Sequence, residues 1–514
     1  MKPATKHPDQ QTVMLSDFSG GLNTSVTDEL ISEKQLWKVA NMEVDENNGV
    51  LRTVKGTTEL FDFTDANVAF KAMAYDVINK VVLLFGRDKS IRAYFLKENT
   101  TRTIGTLDGD SEIVTTPWED GLLIASGGYL QYARFPEGDT TKLYTDYFVG
   151  TINEGEDVPK VCKGVFVRSG RVLTFDAEDT LLYSGVGDET NWTQDTNDPS
   201  ASLFVQIGYK VGGKIIGIIN LSTDLLIIKD NGMVFRLRNE YPDWQISELG
   251  RNIYCKGPAA FCALGNAVLM AGSTSLQEIQ TTQDYGDMRP QEMGGQVRNE
   301  IKTLSPDVKV RFLPAIHQVW FIDDSQYVLV FDASTGVFTE RYFNSEVVDA
   351  LCVDSKVFIA KRERLCLLNE SDEFKDDGKA LVARAHFKTD AALRDQLIKS
   401  VALSITPLTS FYNDVKGCAL HVSRVTLPFP KRRATKDGQR MQKTGLSVAV
   451  KEPQSTPGYD GDDEVFLNYE AVTPGRSVLY KKRQICRDEA IRVSLEATGF
   501  PFYLNFISYD KVEV

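Results

Sequence analysis

Seven times along this chain a run of about five largely apolar residues is followed by a short polar turn and a second strand-like run. The units begin at Val81, Leu122, Arg171, Leu225, Ala267, Gln318 and Lys356, with spacings of 41, 49, 54, 42, 51 and 38 residues, a mean of about 46. Repeats of roughly 40 to 50 residues are the period of β-propeller blades. The unit "LLIIKDNGMVFRLR", Leu225 to Arg238, shows why the pattern is so restrictive. A tight type I′ turn at Asn231-Gly232 would pair Ile228 with Phe235 and Leu226 with Leu237 on one face. The opposite face would then pair Lys229 with Val234, Ile227 with Arg236 and Leu225 with Arg238. The first strand is apolar on both faces, so both must be covered. Blades packed face to face around an axis meet that demand, with wetter strands outside. The expectation is an all-β chain with a β-propeller of about seven blades, the spacing being compatible with six to eight. The alternative is a series of unrelated hairpins in sandwich domains.

A length of 514 residues and a hydrophobic content of 42% suffice for two or three domains with ordinary cores. Residues 1–16 read as a flexible tail, and 17–60 as an arm. Within the arm, Ser32 and Gln35 have capping-box spacing ahead of Leu36, Trp37 and Ala40, which predicts a short N-terminal helix. An extended segment after Gly49 is expected to pair with the last blade and close the ring. The propeller then spans 61–370, an acidic linker 371–380, and a β-sandwich of period-two strands 381–514.

The first 14 residues lack an apolar signal core, and no run approaches the ~18 apolar residues of a membrane helix, so synthesis in the cytoplasm without membrane insertion is expected. The cysteines (Cys162, Cys255, Cys262, Cys352, Cys366, Cys418 and Cys486) are scattered and read as reduced core thiols. The balance of 58 basic and 71 acidic residues, net charge −13, opposes tight non-specific binding to a polyanion.

His7, His317, His386 and His421 are isolated from any metal-ligand spacing. "VGGKIIG", Val211 to Gly217, lacks P-loop spacing, and no G-x-S-x-G elbow or Trp-Asp blade signature occurs. "SGVGDETNW", Ser184 to Trp192, carries the letters of a sialidase repeat in another order. The expectation is a protein with no enzymatic activity, cofactor or metal. The strongest charge cluster is "KRRATKDGQRMQK", in which Lys431, Arg432, Arg433, Lys436, Arg440 and Lys443 stand with a single acid and no aromatic. It reads as a loop that docks on an acidic neighbour rather than a nucleic-acid surface.

"DFSGGLNTSVTDELISEKQLWKVANMEVDENNGVLRTVKG", Asp17 to Gly56, resembles the N-terminal signature of the tail hub or nozzle proteins of short-tailed bacteriophages. The matching positions are Phe18, Gly20, Gly21, Leu22, Asn23, Asn41, Asp45, Arg52 and Gly56. "LLYSGVGDETNWTQ", Leu181 to Gln194, and "FISYDKVEV" at the end of the sequence are similar to further blocks of that family. The resemblance implies a virion tail protein, assembled in the host cytoplasm. It would form a sixfold ring below the portal and adaptor, in contact with tail fibres or a plug or needle. Packaged double-stranded DNA would be retained and then pass through the channel without tight binding. On this reading Phe18, Gly20, Gly21, Leu22, Asn23 and the six basic residues of the loop are candidate assembly contacts. The rival expectations are a propeller that binds or cleaves a surface glycan and a capsid-associated decoration protein.

Overall fold

A computed structural model describes residues 10–46, 49–63, 68–139, 141–155, 157–176, 178–195, 197–241, 243–281, 288–368, 374–408, 419–425, 447–449, 477–499 and 501–513. The chain forms two compact units. One, the propeller unit, comprises Glu59–Ser325 and Ser345–Leu367; the other, the sandwich unit, comprises Met1–Thr58, Gln326–Asn344 and Leu368–Val514.

In the propeller unit every one of the seven apolar runs is the second strand of a blade. Val81–Gly86, Gly121–Ala125, Arg171–Phe175, Asp224–Lys229, Ala267–Ala271 and Gln318–Ile322 are buried at every position, and Lys356–Lys361 at all but its first. Five blades are complete antiparallel sheets of four consecutive strands. Their fourth strands are wetter, from the half-buried Phe148–Thr151 to the mostly exposed Gln245–Gly250. The sixth repeat is divided: Lys309–Leu313 and Gln318–Ile322 pair in the propeller unit, whereas Gln326–Asn344 belongs to the sandwich unit. The seventh blade consists of the end of the strand Val337–Val353, the strands Lys356–Lys361 and Arg364–Leu368, and the N-terminal strand Thr57–Asp62. The expected closure of the ring by the segment after Gly49 is therefore found. The Phe63 amide donates to the Glu363 carbonyl at 2.8 Å, and Arg364 meets Glu59 at 3.4 Å and Asp62 at 3.2 Å. Phe63, Phe70, Val82 and Leu84 pack with Phe358 and Leu365, joining the seventh blade to the first.

The hairpin at Leu225 has a register one residue away from the sequence expectation. Ile228 pairs with Val234, Ile227 with Phe235, Leu226 with Arg236 and Leu225 with Leu237. The turn is a longer one: the Gly232 amide donates to the Lys229 carbonyl and the Lys229 amide to the Met233 carbonyl. Gly232 takes φ +80, while the Asn231 side chain accepts from the Met233 amide at 3.2 Å. A tight type I′ turn needs positive φ at both central residues, whereas this loop places only the glycine there. Both faces of the hairpin are still apolar. Leu225, Ile227, Phe235 and Leu237 pack toward the third blade, and Leu226, Ile228 and Val234 toward the fifth.

In the sandwich unit, Asp390–Pro407 lies between the first part of Val478–Thr498 and the closing strand Phe502–Glu513. The closing strand also pairs with Gln10–Leu15 and Leu51–Thr53. A second set of strands runs from Gln35–Ala40 through Val382–Phe387 to the last part of Val478–Thr498 and on to Ala419–Val425. Val478–Thr498 thus serves both sheets, as corner strands of β-sandwiches do. Two expectations are corrected. Gln10–Leu15, assigned to a flexible tail, is a strand. The N-terminal helix predicted at Ser32 is absent, and Gln35–Ala40 is a strand with neighbours on both sides. A bulge between Leu36 and Lys38 breaks the two-residue alternation, so Leu36, Val39 and Ala40 are buried while Trp37 is exposed. Their spacing of three and four residues imitates a helical stripe. The one α-helix among the described residues is Arg298–Thr303.

Candidate functional site

The signature residues of the sandwich unit are brought together. Phe18 and Leu22 are buried, and the Phe18 ring lies 5.6 Å from that of Phe387. Gly21-Leu22 pairs in parallel with Gln35-Leu36. Gln35 Oε1 accepts from the Asn23 side chain at 3.0 Å and from the Ser32 amide at 3.1 Å. The Ser32/Gln35 pair therefore makes one capping-box bond within a turn that leads into a strand. A Cβ on Gly20 would meet the Lys34 carbonyl oxygen at 2.9 Å, and one on Gly21 the Val337 Cβ at 2.8 Å. Asn41, buried at φ +54, accepts from the Tyr342 amide at 2.8 Å and donates to the Val382 carbonyl at 2.9 Å. Asparagine tolerates this left-handed backbone and supplies both hydrogen bonds, which accounts for the residue type. Phe18, Gly20, Gly21, Leu22 and Asn23 thus hold the inside of their own unit. Lys431, Arg432, Arg433, Lys436, Arg440 and Lys443 lie outside the described residues.

Beside the motif, Asp17 accepts from Lys34 at 2.6 Å and from the Ser19 amide at 3.0 Å. The Lys34 bond, followed by those from Ser19, lowers its carboxyl to about 2. Ionised Asp17 therefore favours the folded state above the unfolded carboxylate pKa of roughly 4, and that contribution disappears as pH falls toward 2. Because the pair is open to water, the effect is modest. Urea titrations of wild type and Asp17→Asn should differ in midpoint at pH 6 and converge at pH 2.

In the propeller unit, the innermost strands of six blades surround a cavity of about 280 Å³. Met73, Thr115, Phe166, Ile218, Phe261 and Arg311 each contribute one strand's side chain, and Glu112 enters just ahead of the second blade. Arg311 donates to both carboxylate oxygens of Asp349 in the seventh blade along one edge of its guanidinium, Nε at 2.8 Å and Nη2 at 3.3 Å. Asp349 is buried and also accepts from the amides of Met73 at 3.0 Å and Ala350 at 2.9 Å. One carboxylate therefore ties together the innermost strands of the sixth, seventh and first blades. Burial acts to lower the Arg311 pKa, but the adjacent Asp349, with Glu112, raises it overall. Burial raises the Glu112 carboxyl, against Lys309 and Arg311, which act to keep it ionised. Its Oε1 has no hydrogen-bond partner among the described residues.

Sequence reasoning passed over Glu112, Arg311 and Asp349. They are far apart in the chain, and the available signal was a charged residue inside an otherwise apolar innermost strand, as in "VRFL" and "VVDAL". Among the described residues no group of three or more His, Cys, Asp or Glu is placed to hold a metal ion. Burial raises the thiols of Cys255 and Cys262 to about 12, which leaves them unreactive near neutral pH. No helix among the described residues is long and apolar enough to cross a membrane.

No family model matches the chain, and no curated protein sequence matches it. Among solved structures, the WD40 β-propeller domain of Doa1 is similar at 10% identity and a TM-score of 0.41, covering 62% of this chain and 98% of that one. The computationally designed Ika8 protein is similar at 13% identity and a TM-score of 0.36, covering 60% and 99%. BamB from Moraxella catarrhalis follows at 10% identity and a TM-score of 0.35, covering 59% and 83%. The β-propeller architecture itself stands on the sheets and registers of this chain.

Proposed function

We propose that the chain is a structural subunit of a virion tail, a hub or nozzle that assembles as a sixfold ring below the portal and adaptor. The ring would retain packaged DNA and guide its exit. The observation that supports this reading is that the two terminal blocks carrying the family resemblance belong to one unit. Each is paired to the strand flanking the other: Ile507–Val512 with Gln10–Leu15, just ahead of the first block, and Leu51 with Leu504, just ahead of the last, with Arg52 5.5 Å over the Tyr503 ring. A net charge of −13 suits a wall along which DNA slides without sticking. A cyclic ring joins two different patches on neighbouring subunits.

The test is a cryo-electron microscopy reconstruction of the tail vertex in particles made with and without this chain. Six propeller-shaped densities beneath the adaptor, lost together with the packaged DNA when the chain is omitted, are the expected result. An unchanged vertex would transfer the assignment to the glycan-binding or decoration reading.

A further inference from the structure

We infer that the axial cavity of the propeller unit binds a small organic amine with an apolar body, held through Glu112. This goes beyond a tail role and does not depend on it.

Glu112 and Arg311 are the charged residues of the cavity lining, and only Arg311 is committed, to Asp349. Glu112 Oε1 lacks a hydrogen-bond donor among the described residues, and an ammonium group supplies a charge-assisted one to a carboxyl that Lys309, Arg311 and Lys71 act to keep ionised. Beside the polar groups of the wall, Met73, Phe166, Ile218 and Phe261 offer an apolar patch with aromatic rings, which suits an alkyl or aryl body next to a cation.

Other ligand classes fit less well. An anion would have to share Arg311 with Asp349, which already holds its Nε–Nη2 edge and offsets its charge, and would lie beside the Glu112 carboxyl. A bare divalent cation requires several oxygen ligands, and Glu112 is the only carboxylate of the lining. A polymer segment exceeds a cavity of about 280 Å³, which lies at the small end of small-molecule sites.

The probe is 2-phenylethylamine, compared with 2-phenylethanol, which keeps the body and removes the charge. Titration of the full-length protein by calorimetry should show saturable amine binding about tenfold or more tighter than the alcohol, the scale of a charge-assisted hydrogen bond. Glu112→Gln should bring the two ligands to within about threefold of each other, because a neutral amide replaces the carboxylate. Ile218→Trp, which fills the cavity, should abolish binding of both. The comparison of the two ligands on the wild-type protein needs no variant, so it decides the matter even where a substitution disturbs folding. No saturable amine binding, or an amine bound no tighter than the alcohol, would overturn the site. A preference for the amine that survives in Glu112→Gln would overturn the role of Glu112.

Discussion

Replacing Asp349 by alanine is expected to destabilise the propeller unit by about 2–4 kcal/mol, somewhat less than the penalty for breaking a fully buried ion pair because Arg311 is partly exposed. The carboxylate accepts from Nε and Nη2 of Arg311 and from the amides of Met73 and Ala350. Its removal leaves two backbone donors and the partly exposed Arg311 guanidinium without their acceptor. The measurement is a urea titration followed by tryptophan fluorescence, since Trp118, Trp192, Trp244 and Trp320 all lie in the propeller unit. The double variant Asp349→Ala, Arg311→Met removes the stranded charge and should recover a large part of the loss. Equal stability of the single and double variants would show that the guanidinium charge is not what Asp349 holds in place.

The second large effect is expected at Gly21. Its φ of +57 is closed to β-branched side chains. A Cβ there would also sit 2.8 Å from Val337 Cβ and 2.9 Å from the Phe338 carbonyl oxygen, so backbone has to move. Backbone strain and overpacking together predict a loss of about 3–5 kcal/mol for Gly21→Val. Gly336→Ala is the control for strain alone. It has φ +72 with nothing within 4 Å of the added Cβ, and a loss of roughly 1–2 kcal/mol is expected. Similar losses at the two positions would mean that packing against Val337 and Phe338 contributes nothing. In an assembly assay, Gly20→Val with Gly21→Val should fail to enter particles, and full incorporation into infectious particles would remove the motif from any role in assembly.

The propeller was legible in the sequence because burial on both faces leaves a signature in the residues themselves. A run such as Val81 to Phe85 has no polar position, which sets it apart from the alternating strands of a sheet wetted on one side. The helix at Gln35 was misread for an equally physical reason: a bulged strand and a helical turn can bury residues at the same spacing, and only the flanking strands decide between them. The register at Asn231-Gly232 turned on which residues take positive φ, a choice between two turn types that the Asn-Gly dipeptide fits equally well. At the axial cavity the sequence marked single charges inside apolar strands but not their meeting. Glu112, Arg311 and Asp349 are joined by the closure of a ring, and no local motif encodes a meeting between residues some 240 positions apart.

The pairing of Gln10–Leu15 with the strand ending at Glu513 sets a timetable for biosynthesis. The first five blades are each built from consecutive residues, so they can form in turn as they leave the ribosome. The sandwich unit cannot close until its final strand has been made. The loop it then closes spans almost the whole chain, yet the entropy of closing a flexible loop rises only with the logarithm of its length, so a late closure remains thermodynamically accessible. A stalled or prematurely terminated chain would carry its first five blades but no closed sandwich unit. If that unit holds the assembly contacts, incomplete molecules are excluded from the particle by the order in which the chain is made.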